Sequence, residues 1–187
     1  MAANETRGPA IVWSDLALVV GLVGFDVMAR LLPHAPNFSP VAATTLFAGA
    51  VLRGRALALV VPLAAMLLGD AVLGFYDWRV MSVVYLASAL PVFVGWLSRR
   101  WRGPLVFVPA ILSCSLLFFL GTNFAVWAFG GIYPHSMAGL IECYVAALPF
   151  LKQTAAGDLF WATIFFGGYY LVLAIHFYVR RSGKATQ

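Results

Sequence analysis

The sequence predicts an all-α integral membrane protein: one domain over residues 1–187, a bundle of six transmembrane helices with a short second helix and an outer helical segment in the fifth loop. Two observations carry the class. Hydrophobic types make up 63% of the residues and charged types only 10%, against ~25% charged in an average soluble domain. The apolar residues also come in blocks of about 20, the length of helix that crosses ~30 Å of hydrocarbon, without the short alternation of an outer-membrane barrel. A third observation, the placement of basic residues, decides how the blocks connect.

The first block covers residues 10–32, with Asp15 near its start and Arg30 and Pro33 at its end. It runs too long, and has too weak a basic flank and no clear small-residue cleavage site, to read as a signal peptide, so it is expected to remain as a helix. The second block, 40–52, is too short to cross alone. Its approach through 33–39 must descend into the outer leaflet, where non-helical backbone survives only against protein or a cavity. Ser39-Pro40 suits a helix start, a capping residue followed by proline at the first position. The third and fourth blocks are 56–75 and 80–97, and the fifth is 104–129. Residues 137–151 form a moderately apolar stretch broken by Pro149 and Lys152, and 158–179 form the last span, opened by Asp158 after Gly157 as a helix cap.

With the N-terminus in the cytoplasm, six crossings put Arg7, Arg53, Arg55, Arg99, Arg100, Arg102, Arg180, Arg181 and Lys184 inside and only Arg30, Arg79 and Lys152 outside. Nine against three is a clear positive-inside bias. A full crossing by 137–151 would even the split, so that segment is expected to stay outside. Both termini are therefore expected in the cytoplasm, and the protein in the cell (inner) membrane. The net charge of +5 sits in these short runs; it serves topology and gives no reason to expect a nucleic-acid partner.

Polar residues inside the blocks are the functional candidates, because an ionised group in a span is costly unless paired or lining a cavity. Asp15 and Asp26 lie 11 residues apart and share one helix face. Opposite them Ala17, Gly21, Gly24 and Met28 form a smooth stripe, suited to close approach by a helix of this chain or of a partner. Asp26 either pairs with Arg30 or faces a cavity. Asp70, in Leu-Leu-Gly-Asp-Ala, either pairs with Arg30 or Arg79 or meets a ligand. Asn123 lies between Phe119 and Trp127 on one face, a wall for a flat ligand or a helix–helix hydrogen bond. The expected ligand site is an outward cavity walled by Asn37, Phe38, Asp70, Asn123 and Trp127 and roofed near Tyr144. No GxSxG, HExxH, Walker or paired-carboxylate motif is present, so no catalytic residue, cofactor or metal site is expected. Cys114 reads as packing, and Cys143 is the one candidate reactive thiol.

Residues 37–50, Asn-Phe-Ser-Pro-Val-Ala-Ala-Thr-Thr-Leu-Phe-Ala-Gly-Ala, followed by a helix ending Leu-Gly-Asp at 68–70, resemble the helix 2–helix 3 region of the S components, the substrate-binding subunits of energy-coupling-factor vitamin transporters. The Thr-Asn-Phe-Ala-Val-Trp and Ala-Leu-Pro-Phe segments place the chain nearer to an uncharacterised branch of small bacterial membrane proteins. The resemblance spans about residues 10–180. It implies a six-helix fold with an outward cavity for a small, heterocyclic nutrient. It also implies docking of a transmembrane coupling subunit with its ATPases through Ala17, Gly21 and Gly24; a homo-oligomer is the other partner expected at that stripe. The cysteine that ligates cobalt in one branch has no alignable counterpart here. A structural or assembly subunit of a larger membrane complex is the alternative function.

Overall fold

The computed structural model describes residues 13–100 and 104–182. They form six α-helices and no strand: α1 (Trp13–Leu31), α2 (Val41–Val51), α3 (Arg55–Leu73), α4 (Trp78–Leu97), α5 (Pro104–Phe129) and α6 (Met137–Ser182). A short 3-10 turn, Ser98–Arg100, follows α4. Four of the helices, α3 to α6, are each long and apolar enough to cross a bilayer. The molecule is thus a membrane-spanning protein. α1 matches them in length but carries Asp15, Asp26 and Arg30, and α2 has only 11 residues, about 17 Å of helix.

The short helix is the axis of the fold. α2 touches each of the other five helices and packs most extensively on α4. Its residues Ala43 to Gly49 are all buried. Small residues permit this: a Cβ on Gly49 would run into the Val92 carbonyl, and one on Gly95 into the Leu46 carbonyl. The α2 and α4 backbones therefore touch at two glycines, the approach that small residues allow where lipid offers no hydrophobic drive. Arg99 closes the end of α2, donating from Nε to the Gly49 carbonyl at 3.0 Å and from its other arm to the Leu52 carbonyl. These carbonyls have no partner within the helix.

The last third of the chain departs from the sequence expectation. Residues 137–151 and 158–179 are not an outer loop helix and a separate span; they are one helix of 46 residues, α6, about 69 Å long. Pro149 sits inside it on an exposed face, where the carbonyl it leaves unbonded does not face the core. Gly157 is no helix start. It lies against Phe38, whose Cα would stand 3.1 Å from an added Cβ, so the glycine lets the 33–39 loop press onto α6. Asp158 accordingly lies in mid-helix and is buried, not a cap.

The approach to α2 is a tight turn. Phe38 N–H donates to the Ala35 carbonyl at 3.0 Å, and Asn37 adopts φ 60°. Proline then asparagine at the central positions, with positive φ at the second, is the signature of a type II turn. Aromatic contacts hold the loop down: Phe38 lies 5.5 Å from the Phe160 ring and 6.3 Å from Trp161.

Candidate functional site

A cavity of about 260 Å3 opens among the six helices, and every one of them contributes to its wall. α1 supplies Arg30, the turn Asn37 and Ser39, α2 Val41 and Ala42, and α3 Met66 and Asp70. Tyr76 stands in the next loop. α4 adds Val84, Ala87, Ser88 and Pro91, α5 Cys114 and Phe118, and α6 Thr154 and Asp158. The α4 residues lie six to thirteen positions past Trp78, about 9–20 Å along the helix. The cavity therefore descends from an exposed rim at Asn37 and Tyr76 into the buried interior.

Arg30 and Asp70 form an ion pair across the α1–α3 contact. The second carboxylate oxygen of Asp70 accepts from the Tyr85 hydroxyl at 2.8 Å, and the other arm of Arg30 lies on the Met66 sulfur. Gly69 explains the Gly-Asp pair: an added Cβ would collide with the Arg30 side chain. One residue admits the guanidinium and the next neutralises it. This is the structural pairing with Arg30 that the sequence left open for Asp70; Arg79 instead pairs with Asp77 at 2.9 Å.

At the opposite wall Asp158 is 2% exposed and accepts from the Ser115 hydroxyl at 2.5 Å. Among the described residues no ion pair includes it. Asp26 is buried too, but it accepts from Thr44 on α2 at 2.7 Å and does not line the cavity. It neither pairs with Arg30 nor faces the site.

Of the six sequence-predicted ligand residues, the structure brings Asn37 and Asp70 to this cavity and leaves four elsewhere. Phe38 fastens the rim onto α6. Asn123 turns its amide onto its own helix, donating to the Phe119 carbonyl at 2.8 Å. Trp127 donates to the Pro134 carbonyl at 2.9 Å and stacks edge-on to His135 at 5.7 Å. Tyr144 is not a roof; it donates to the Leu120 carbonyl at 2.7 Å and its ring packs 5.6 Å from Phe119. The reason is helical phase. Phe119, Asn123 and Trp127 do share a face, but that face serves the packing of the first half of α6 and the loop before it. One residue is 100° of helix, and the cavity belongs to Cys114 and Phe118, a different i, i+4 pair. Cys143, the candidate reactive thiol, is buried and donates to the Asn123 carbonyl at 3.4 Å.

Arg30, Ser88, Cys114 and Asp158 were not singled out as cavity residues by the sequence, nor was Tyr85 as the partner of Asp70. The available signal was the alternation Ser-Cys-Ser at 113–115 within an apolar helix, together with an acidic residue in the following span.

Among the described residues, the small-residue stripe of α1 meets no other helix. Ala17, Gly21 and Gly24 are exposed, and a Cβ added at Gly21 or Gly24 would find nothing within 4 Å.

A family of unknown function, DUF6580, matches residues 11–180. No curated protein matches the chain, and no solved structure does.

Proposed function

We propose that this chain, which belongs to the DUF6580 family, is a substrate-binding and transport protein for a small, heterocyclic nutrient such as a vitamin or its precursor. In this reading it crosses the cell membrane six times, with both termini in the cytoplasm. The observation that carries it is the cavity of about 260 Å3 reached by all six helices. An apolar cavity with a few converging polar groups is the usual form of a small-molecule site, and a helix bundle selected only for packing would close such a space. The S-component resemblance fits this reading and adds a role for the open stripe of α1 as the face that meets a coupling subunit.

The test is to purify the protein from its own membrane and identify released small molecules by mass spectrometry. A Ser88→Trp variant, which fills the cavity, serves as the control. A molecule released from the natural protein and lost from the variant supports binding. Release of nothing, with the variant more stable than the parent, overturns it. A second reading, a structural or assembly subunit, draws on the internal pairing of Arg30 with Asp70 and of Asp158 with Ser115, and on the exposed Ala17, Gly21 and Gly24. It expects stable co-purification with a larger complex, abolished by Gly21→Leu, and no bound small molecule.

A further inference from the structure

We infer that the cavity takes a small organic cation, such as an amine, an amidine or a protonated heterocycle, and that the carboxylate of Asp158 receives its positive end. The inference rests on the binding reading above and specifies its substrate class. Its first support is charge. The ionisable side chains of opposite sign on the cavity wall are Arg30, Asp70 and Asp158. Arg30 and Asp70 neutralise each other, and Tyr85 occupies the remaining oxygen of Asp70. Among the described residues, Asp158 is left with a single neutral partner, Ser115, on one oxygen. A carboxylate buried in the interior of a bundle is costly without a cation or a proton, and the space beside this one is large enough for a molecule.

The second support is the direction of the hydrogen bonds. Ser88 donates its proton to the Val84 carbonyl at 2.8 Å, and Thr154 donates to the Phe150 carbonyl at 2.8 Å. Ser115 has the Ile111 carbonyl at 3.1 Å and Asp158 as its acceptors. With their protons committed, the hydroxyls of Ser88 and Thr154 on the wall offer a ligand lone pairs only. Deep in the cavity these two acceptors and the Asp158 carboxylate stand beside the Cys114 thiol, while the donors of Asn37, Ser39 and Tyr76 lie toward the rim, an arrangement that suits a ligand with a cationic N–H end. An anion would meet the same acceptors as repulsion, and the charge of Arg30 is already matched by Asp70.

Three flat probes of nearly equal size and different charge test this: benzamidinium, benzamide and benzoate. Binding to the protein in lipid nanodiscs is measured by equilibrium dialysis for the parent, Asp158→Asn and Ser115→Ala, and the molecules released from each preparation are identified. The amide introduced by Asp158→Asn keeps an acceptor for Ser115, which protects the fold, and thermal unfolding checks it. Expected are a preference for benzamidinium in the parent and in Ser115→Ala, a loss of about tenfold to a hundredfold in Asp158→Asn, and a cationic released molecule. If Asp158 were only a structural partner of Ser115, the two variants would behave alike, and that result overturns the inference. Neutral or anionic molecules bound at full strength by Asp158→Asn overturn the charge class and leave the binding reading standing. No probe bound and no molecule released overturns both.

Discussion

Gly69 and Asp70 show how two adjacent residues divide one task, the first making room for Arg30 and the second pairing with it. Asp77 works in the same local way at the rim, capping α4 by accepting from the Arg79 N–H at 2.9 Å while its other oxygen holds the Arg79 guanidinium. Those bonds, the Arg79 side chain first among them, lower its pKa from 3.8 to about 2. A carboxyl with a depressed folded value stabilises the fold fully above its ordinary range and loses that contribution as pH falls toward the folded value. The parent is therefore expected to unfold at a higher temperature than Asp77→Asn above pH 5, with the gap shrinking between about pH 4 and 2 and gone below. A gap that persists unchanged at pH 2 would mean that the charge is not what the cap contributes.

At the scale of elements, the fold turns on how closely α2 and α4 approach. Gly49→Ala or Gly95→Ala must push the two backbones apart, because each new Cβ meets a carbonyl and not a movable side chain. Overpacking of this kind costs about 1–3 kcal/mol, more than the gain of up to ~1 kcal/mol from replacing glycine in a helix. Both variants should lower the thermal midpoint in detergent. Gly21→Ala, on the open face of α1, should leave it unchanged or raise it slightly. Equal effects at all three positions would show that helix propensity, not the α2–α4 contact, governs these glycines. α6 is the counterpart of this contact. Its aromatic residues wedge between the cores of α1, α2 and α5, with Phe166 4.2 Å from Phe107 and 5.3 Å from Phe47, and Phe165 5.5 Å from Phe25. They anchor the half of α6 that follows the cavity.

For the whole molecule, the question is which side each end occupies. The nine-to-three distribution of basic residues predicts Gly183 in the cytoplasm and Ser136 outside. Reporter fusions at those two positions should register opposite compartments, and the same compartment for both would require an additional crossing or one fewer. Leu67, Leu68, Val72, Leu86 and Phe93 are all exposed on the perimeter of the bundle, the distribution expected where lipid is the solvent.

Composition and block length were enough to determine a helical membrane protein, the positions of α1 to α5 to within a few residues, and the need for the 33–39 segment to settle against protein. These are properties of a chain meeting a bilayer, and each can be read from a local run of residues. Asn37 and Asp70 were legible as cavity-lining residues for the same reason: polarity stands out against an apolar background. Only the tertiary structure decided that 137–182 is one helix, because neither Pro149 nor Gly157 breaks it: Pro149 faces outward and Gly157 makes room for Phe38. It also decided which face of α5 lines the cavity. Phe118 and Phe119 are neighbouring phenylalanines in the sequence, yet only the first lines the cavity, because the direction of a helix face is set by the neighbours that cover it. The partners of Asp26, Asp70 and Asp158 lie 18, 40 and 43 positions away along the chain. A carboxylate announces that it needs a partner; which partner it finds, and whether it is left with an oxygen to offer a ligand, depends on packing that no local pattern encodes.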